Sequence, residues 1–120
     1  MSADIAVYAK GSARPTGGIG AIAILVGPNA PLAFDDVRST FIDNAYDFYK
    51  PVPNSEYPTV DGHLSINVYL NALQQCYTGF KEKCKLRHKG WEPKYHDFDY
   101  FCFHTPFSKM VQKSFFNLVL

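Results

Sequence analysis

Cysteine is scarce and odd in number: three in 120 residues, at positions 76, 84 and 102, with no paired spacing. That fits a reducing compartment better than a disulfide scaffold. Charge of one sign is also lacking. Twelve basic and 11 acidic side chains leave a net charge of +1, so no global field draws the chain to nucleic acid or to an anionic membrane. No apolar run is long enough to span a bilayer. No secretory hydrophobic region or Arg-rich transit segment opens the chain, and there is no repeat or low-complexity tract. The length suits one domain that buries roughly two-thirds of its surface. The expectation is a soluble intracellular protein that binds neither membrane nor nucleic acid.

What is present is concentrated in Phe101-Cys-Phe-His-Thr-Pro-Phe-Ser-Lys-Met-Val-Gln-Lys-Ser114. Phe101, Cys102 and Phe103 form a short apolar run, the pattern of a strand covered on both faces. Thr105 suits a helix N-cap and Pro106 the first helical position, where a missing N–H costs nothing. This spacing puts His104 at the carboxyl end of a strand, beside the positive pole of a helix. A neutral imidazole able to polarise a carbonyl or relay a proton fits such a place. Taken bare, a lone histidine at an apolar edge is more often a hydrogen-bonded core residue. Lys109 and Lys113 follow on one helix face, roughly 7 and 13 Å along the axis from His104. They read either as solvated lysines or as paired contacts for an anion.

Elsewhere, Ile5–Ala9 and the apolar run Ile19–Val26 read as strands, and Leu32–Phe41 holds another. Gly27-Pro-Asn-Ala-Pro31 is a turn. Residues 43–60 form a long loop of the kind that is usually functional. Asp61 is placed to cap a helix in which Ile66, Tyr69, Leu70, Leu73, Cys76, Tyr77 and Phe80 recur on one apolar face through about Lys85. The basic run Lys81-Glu-Lys-Cys-Lys-Leu-Arg-His-Lys89 reads as its solvated C-terminus. Strands alternating with helices argue an α/β fold. Met1-Ser-Ala runs at once into strand-like residues and the chain ends on an apolar stretch, so the sequence is read as a fragment.

The histidine segment resembles the active-site histidine region of 3-hydroxy-3-methylglutaryl-CoA synthases. Ala13-Arg-Pro-Thr-Gly-Gly18, Val26-Gly-Pro-Asn-Ala-Pro31, Ala45-Tyr-Asp-Phe-Tyr-Lys-Pro51, Ser55-Glu-Tyr-Pro58, Val60-Asp-Gly62 and Leu64-Ser65 also match that family, in the family's order. The resemblance implies a partial thiolase-like fold, with residues 1–31 ending the N-terminal half and residues 32–120 starting the C-terminal half. It implies a condensation of acetyl-CoA with acetoacetyl-CoA, in the mevalonate or ketone-body pathway. Coenzyme A thioesters are the substrates, and no cofactor or metal is expected. The full-length enzyme is a homodimer, and the compartment expected is the cytoplasm, with a mitochondrial form left open.

On the same resemblance, His104 is catalytic and assists the acetoacetyl carbonyl toward attack. Thr16, Ser65, Lys109 and Lys113 contact the CoA ligand, and Asp4 and Asp47 support the active site. Ser12 stands where the family typically has asparagine, and loses the amide's two donors and one acceptor. The family's nucleophilic cysteine and general-base glutamate lie upstream of the matched segment, so the chain alone is expected to be inactive. The alternative is a non-catalytic homologue that binds CoA or pairs with a full-length synthase.

Three motifs mislead. Gly18-Ile-Gly-Ala-Ile-Ala23 looks like a dinucleotide fingerprint, but a strand follows where the fingerprint requires a helix. Cys102 and His104 would share a strand face roughly 7 Å apart, too far for a thiolate–imidazole pair. Cys76, Cys84 and His88 lack metal-ligand spacing.

Overall fold

The structure, a computed structural model, describes residues 1–119, so Leu120, the last residue of the expected second segment, lies outside the described residues. The chain divides into two compact units, residues 1–34 with 46–62 and residues 35–45 with 63 onward.

In the first unit β1 (Ser2–Ala6) pairs antiparallel with β2 (Gly18–Ile22), Ser2 opposite Ile22 and Ala6 opposite Gly18. Between them Arg14–Thr16 makes one 3₁₀ turn with Pro15 in its first positions. The expected strands Ile5–Ala9 and Ile19–Val26 are thus shifted and shortened. Apolarity alone does not make a strand, which needs a hydrogen-bonding partner. Among the described residues β2 has only β1 beside it, and Leu25 and Val26 lie beyond the ladder, 96% and 89% exposed. Within the long loop, β3 (Phe48–Tyr49) and β4 (Thr59–Val60) form a second antiparallel pair, with Phe48 opposite Val60. The Tyr8 and Phe48 rings approach to 6.4 Å, and Ala13 is fully buried.

The second unit is built on α1 (Gly62–Arg87). Its expected apolar face, Ile66 through Phe80, is half-buried throughout, and Cys84 one turn further is buried. Burial pushes the Cys84 thiol up, and the charge of Asp35 adds to this. Gly79 sits mid-helix, where glycine costs roughly 0.5–1 kcal/mol relative to alanine. The reason is Ser39: a Cβ at position 79 would lie 2.6 Å from its Oγ. The helix closes when the Gly90 N–H donates to the Lys85 carbonyl at 2.8 Å, with Lys89 and Gly90 at φ of 52° and 90°. This is the six-to-one closure of a Schellman turn.

The segment expected to hold a strand within Leu32–Phe41 forms none. Asp35 instead folds back, its carboxylate accepting the Val37 N–H at 2.7 Å, and Val37 is buried. The basic end of α1 also departs from a merely solvated face. Arg87 Nε donates to the Asp36 carboxylate at 3.0 Å, and Lys83 Nζ donates to the Arg38 carbonyl at 2.8 Å. Lys85 and Lys81 both reach Glu92, at 2.6 and 3.6 Å. The end of α1 therefore fastens the segments on either side of it.

The hydrogen bond from Arg87 holds the Asp36 carboxyl below its ordinary value of 3.8, and that from Lys85 holds Glu92 below 4.5. Both folded values are depressed, so the stabilisation is present above the ordinary carboxylate range and is lost as pH falls through and below it. These pairs are exposed, so the effect is small and weakened by salt. A double Lys85→Ala, Arg87→Ala chain is expected to melt below the parent near neutral pH. The two melting temperatures should converge on acidification below the carboxylate range; a constant gap would contradict this role.

The last helix, α2 (Ser108–Val119), buries Met110 and Ser114, one turn apart. Among the described residues the Ser114 hydroxyl has no hydrogen-bond partner, an arrangement that costs about 1–3 kcal/mol. Phe98 and Phe101, and Phe101 and Phe115, meet edge to face, with centroids 5.4 and 5.5 Å apart. The expected strand Phe101–Phe103 is not formed, because no described segment pairs with it. The expected cap is also displaced. α2 starts at Ser108, and the Thr105 hydroxyl donates to the Phe103 carbonyl at 3.0 Å instead.

A candidate active-site histidine and its surroundings

His104 consequently sits in an irregular extended stretch, four residues before α2 rather than at a strand end touching the helix pole. The helix-pole argument for its chemistry falls with that displacement, because the pole acts only within about one turn. The imidazole is exposed. What holds this stretch is a side chain of α1: the Tyr69 hydroxyl donates to the His104 carbonyl at 2.9 Å. The two rings lie 6.1 Å apart, tilted by 39°. Among the described residues no other hydrogen bond reaches His104.

Lys109 and Lys113 lie on α2, one turn apart and exposed, and neither joins an ion pair among the described residues. Two neighbouring ammonium groups with no carboxylate between them can share an anion as point charges. Ser65 is on the first turn of α1, half-buried, and shares the helix face of Tyr69 at i, i+4. One helix thus presents Ser65 and the tyrosine that grips His104.

The other expected site residues belong to the first unit. Asp4 is on β1 opposite Gly20, and exposed. The Thr16 hydroxyl donates to the Ala13 carbonyl at 2.6 Å, closing the 3₁₀ turn and leaving its oxygen lone pairs to accept. The Ser12 hydroxyl accepts the Val60 N–H at 3.2 Å, across 48 residues of sequence. Asp47 is half-buried, and its carbonyl accepts the Asp61 N–H at 2.8 Å. Ser12 therefore has a local structural task, fastening the loop after β1 to β4.

Periodicity placed Tyr69 on the apolar face of α1 and gave it no further task. The available signal was its phenol, since a half-buried tyrosine hydroxyl usually finds a partner. Of the cysteines, Cys102 is exposed, Cys76 half-buried and Cys84 buried. No group of three or more potential metal ligands occurs among the described residues. No helix among them is long and apolar enough to cross a membrane.

Comparison with known proteins defines first the class. The solved structure of MvaS in complex with 3-hydroxy-3-methylglutaryl coenzyme A superposes with a TM-score of 0.77 at 34% identity, covering 97% of this chain and 29% of that one. An HMG-CoA synthase complexed with CoA gives the same TM-score at 28% identity. The fold is a partial thiolase-like α/β fold. Residues 32–120 match the family model for the C-terminal region of hydroxymethylglutaryl-coenzyme A synthase, and residues 1–31 match that for its N-terminal region. The chain belongs to the hydroxymethylglutaryl-CoA synthase family. It is 50% identical to the human cytoplasmic synthase over 128 residues, 50% to synthase B of Dictyostelium discoideum and 54% to the human mitochondrial synthase. The chain spans about a quarter of the length of these relatives, 24–26%.

Proposed function

We propose that this chain supplies the acetoacetyl-CoA side of a hydroxymethylglutaryl-CoA synthase, with His104 as its catalytic residue. The supporting observation is the exposed imidazole followed on α2 by two exposed ammonium groups free of ion pairs among the described residues. A CoA thioester carries its reactive carbonyl at one end and its phosphates far from it, and suits a histidine followed by such lysines.

In the reaction the family resemblance implies, an acetylated cysteine loses a methyl proton to a glutamate. The resulting carbanion attacks the ketone carbon of acetoacetyl-CoA. A C–C bond forms, and the carbonyl π electrons move to the oxygen. His104 meets that oxygen as its charge develops, and hydrogen bonding or proton donation there favours the transition state over the bound substrate. Water then cleaves the cysteine thioester and releases the product and the free thiol. Lys109 and Lys113 hold the CoA phosphates, and Ser65 and Thr16 contact the acyl-CoA. Asp4 and Asp47 support the site, and Ser12 makes at most a weakened contact. No cofactor or metal enters this sequence. Neither the nucleophilic cysteine nor the base belongs to these residues, so the chain alone does not turn over. The two family models meeting at residues 31 and 32 support a junction of the two halves there. The homodimer of the resembled enzymes is assigned to the full-length protein.

A hybrid tests this reading. Residues 1–120 replace the matching stretch of the human cytoplasmic synthase, to which they are 50% identical. The hybrid is expected to condense acetyl-CoA with acetoacetyl-CoA. A folded hybrid that is acetylated but does not condense would count against it.

A further inference from the structure

Nothing in the backbone ladder fixes where His104 points, because residues 101–105 belong to no strand. Three side-chain attachments do this work instead. Phe101 is wedged between Phe98 and Phe115, and Thr105 bonds back to the Phe103 carbonyl. Both act on neighbours of the histidine. Among the described residues only Tyr69 acts on His104 itself, through the 2.9 Å hydrogen bond to its carbonyl and the tilted ring beside its imidazole. Tyr69 is in turn carried by the 26-residue helix α1, with Ser65 one turn before it.

We propose that Tyr69 is a positioning residue for His104: its hydroxyl anchors the histidine's main chain to α1, and its ring limits the imidazole to the orientation that meets the substrate carbonyl. This rests on the reading of His104 as catalytic. The phenol proton is committed to a main-chain carbonyl, so Tyr69 acts through the histidine and not on the substrate. An acid or hydrogen-bond donor is effective only at about 2.6–3.2 Å from the atom it serves, and a misplacement of about 1 Å can cost on the order of 10²-fold in rate. Removing one of several attachments displaces His104 by less than that, so the loss expected is about 10-fold.

The test uses the full-length hybrid with Tyr69→Phe, which deletes the hydroxyl and keeps the ring. Condensation kcat should fall about 10-fold, while the rate of cysteine acetylation, the melting temperature and the KM for acetoacetyl-CoA stay at the parent values. Tyr69→Ala, which removes the ring as well, should lose more. Unchanged condensation in Tyr69→Phe would overturn the proposal. So would a parallel fall in acetylation and melting temperature, which marks a merely structural role. A His104→Ala hybrid run alongside separates the two ideas: full condensation there overturns the catalytic assignment and the positioning role with it. Loss in His104→Ala with none in Tyr69→Phe overturns the positioning role alone.

Discussion

His104→Ala in the hybrid synthase is expected to cut condensation by about 10²–10⁴-fold, the range over which a positioned acid–base group contributes, while cysteine acetylation by acetyl-CoA proceeds at the parent rate. The asymmetry follows from where charge develops. Acetylation transfers an acyl group to sulfur and needs nothing at the acetoacetyl carbonyl. Condensation turns that carbonyl into an alkoxide, and the imidazole is the group assigned to meet it. The structure makes the substitution clean. The Tyr69 hydroxyl bonds the main-chain carbonyl of residue 104 and not its ring, so alanine keeps that anchor and loses only the imidazole. Single-turnover mass measurement of the acetyl-enzyme, followed by addition of acetoacetyl-CoA, reads the two steps separately. Condensation at the parent rate would remove His104 from the mechanism.

The second large effect is expected from charge on α2. Lys109→Glu with Lys113→Glu should raise the KM for CoA thioesters by well over 10-fold, since a hydrogen bond to a charged group contributes about 1.5–3 kcal/mol and the reversed charges repel phosphate. Both side chains are exposed and outside any ion pair among the described residues, so the fold has little at stake in them. The parent KM should climb with ionic strength, and the variant's dependence should flatten or reverse. A fall in kcat at unchanged KM would contradict phosphate binding.

How far the sequence alone reaches depends on whether an element carries its own reason to form. α1 does: seven apolar positions at helical spacing gave its face, and Gly62–Arg87 is found where the period placed it. β1 and β2 were legible as elements but not in extent, since their ends are decided by which residues find a partner. Phe101–Phe103 and Leu32–Phe41 failed for the same reason, being apolar enough for strands but paired with nothing among the described residues. The start of α2 was misplaced because the Thr105 hydroxyl has a nearer acceptor in the Phe103 carbonyl. The basic end of α1 read as solvated because its partner Asp36 lies 51 residues from Arg87, beyond the reach of local pattern.

The candidate site divides in the same way. His104, Lys109 and Lys113 stand out by type and spacing, whereas Thr16, Ser65, Asp4, Asp47 and Ser12 are ordinary loop and element-start residues that only the family motifs single out. Tyr69 escaped both routes. Its part depends on one phenol meeting one carbonyl 35 residues away, and no periodicity contains that information.

The most direct test of the division of labour claimed for this chain uses the purified 120-residue protein. It is incubated with acetyl-CoA and acetoacetyl-CoA, condensation is followed, and intact mass is read for an acetyl adduct. The account predicts no turnover and no adduct, because none of Cys76, Cys84 and Cys102 is the nucleophile. Turnover accompanied by acetylation of any of these three cysteines would contradict it.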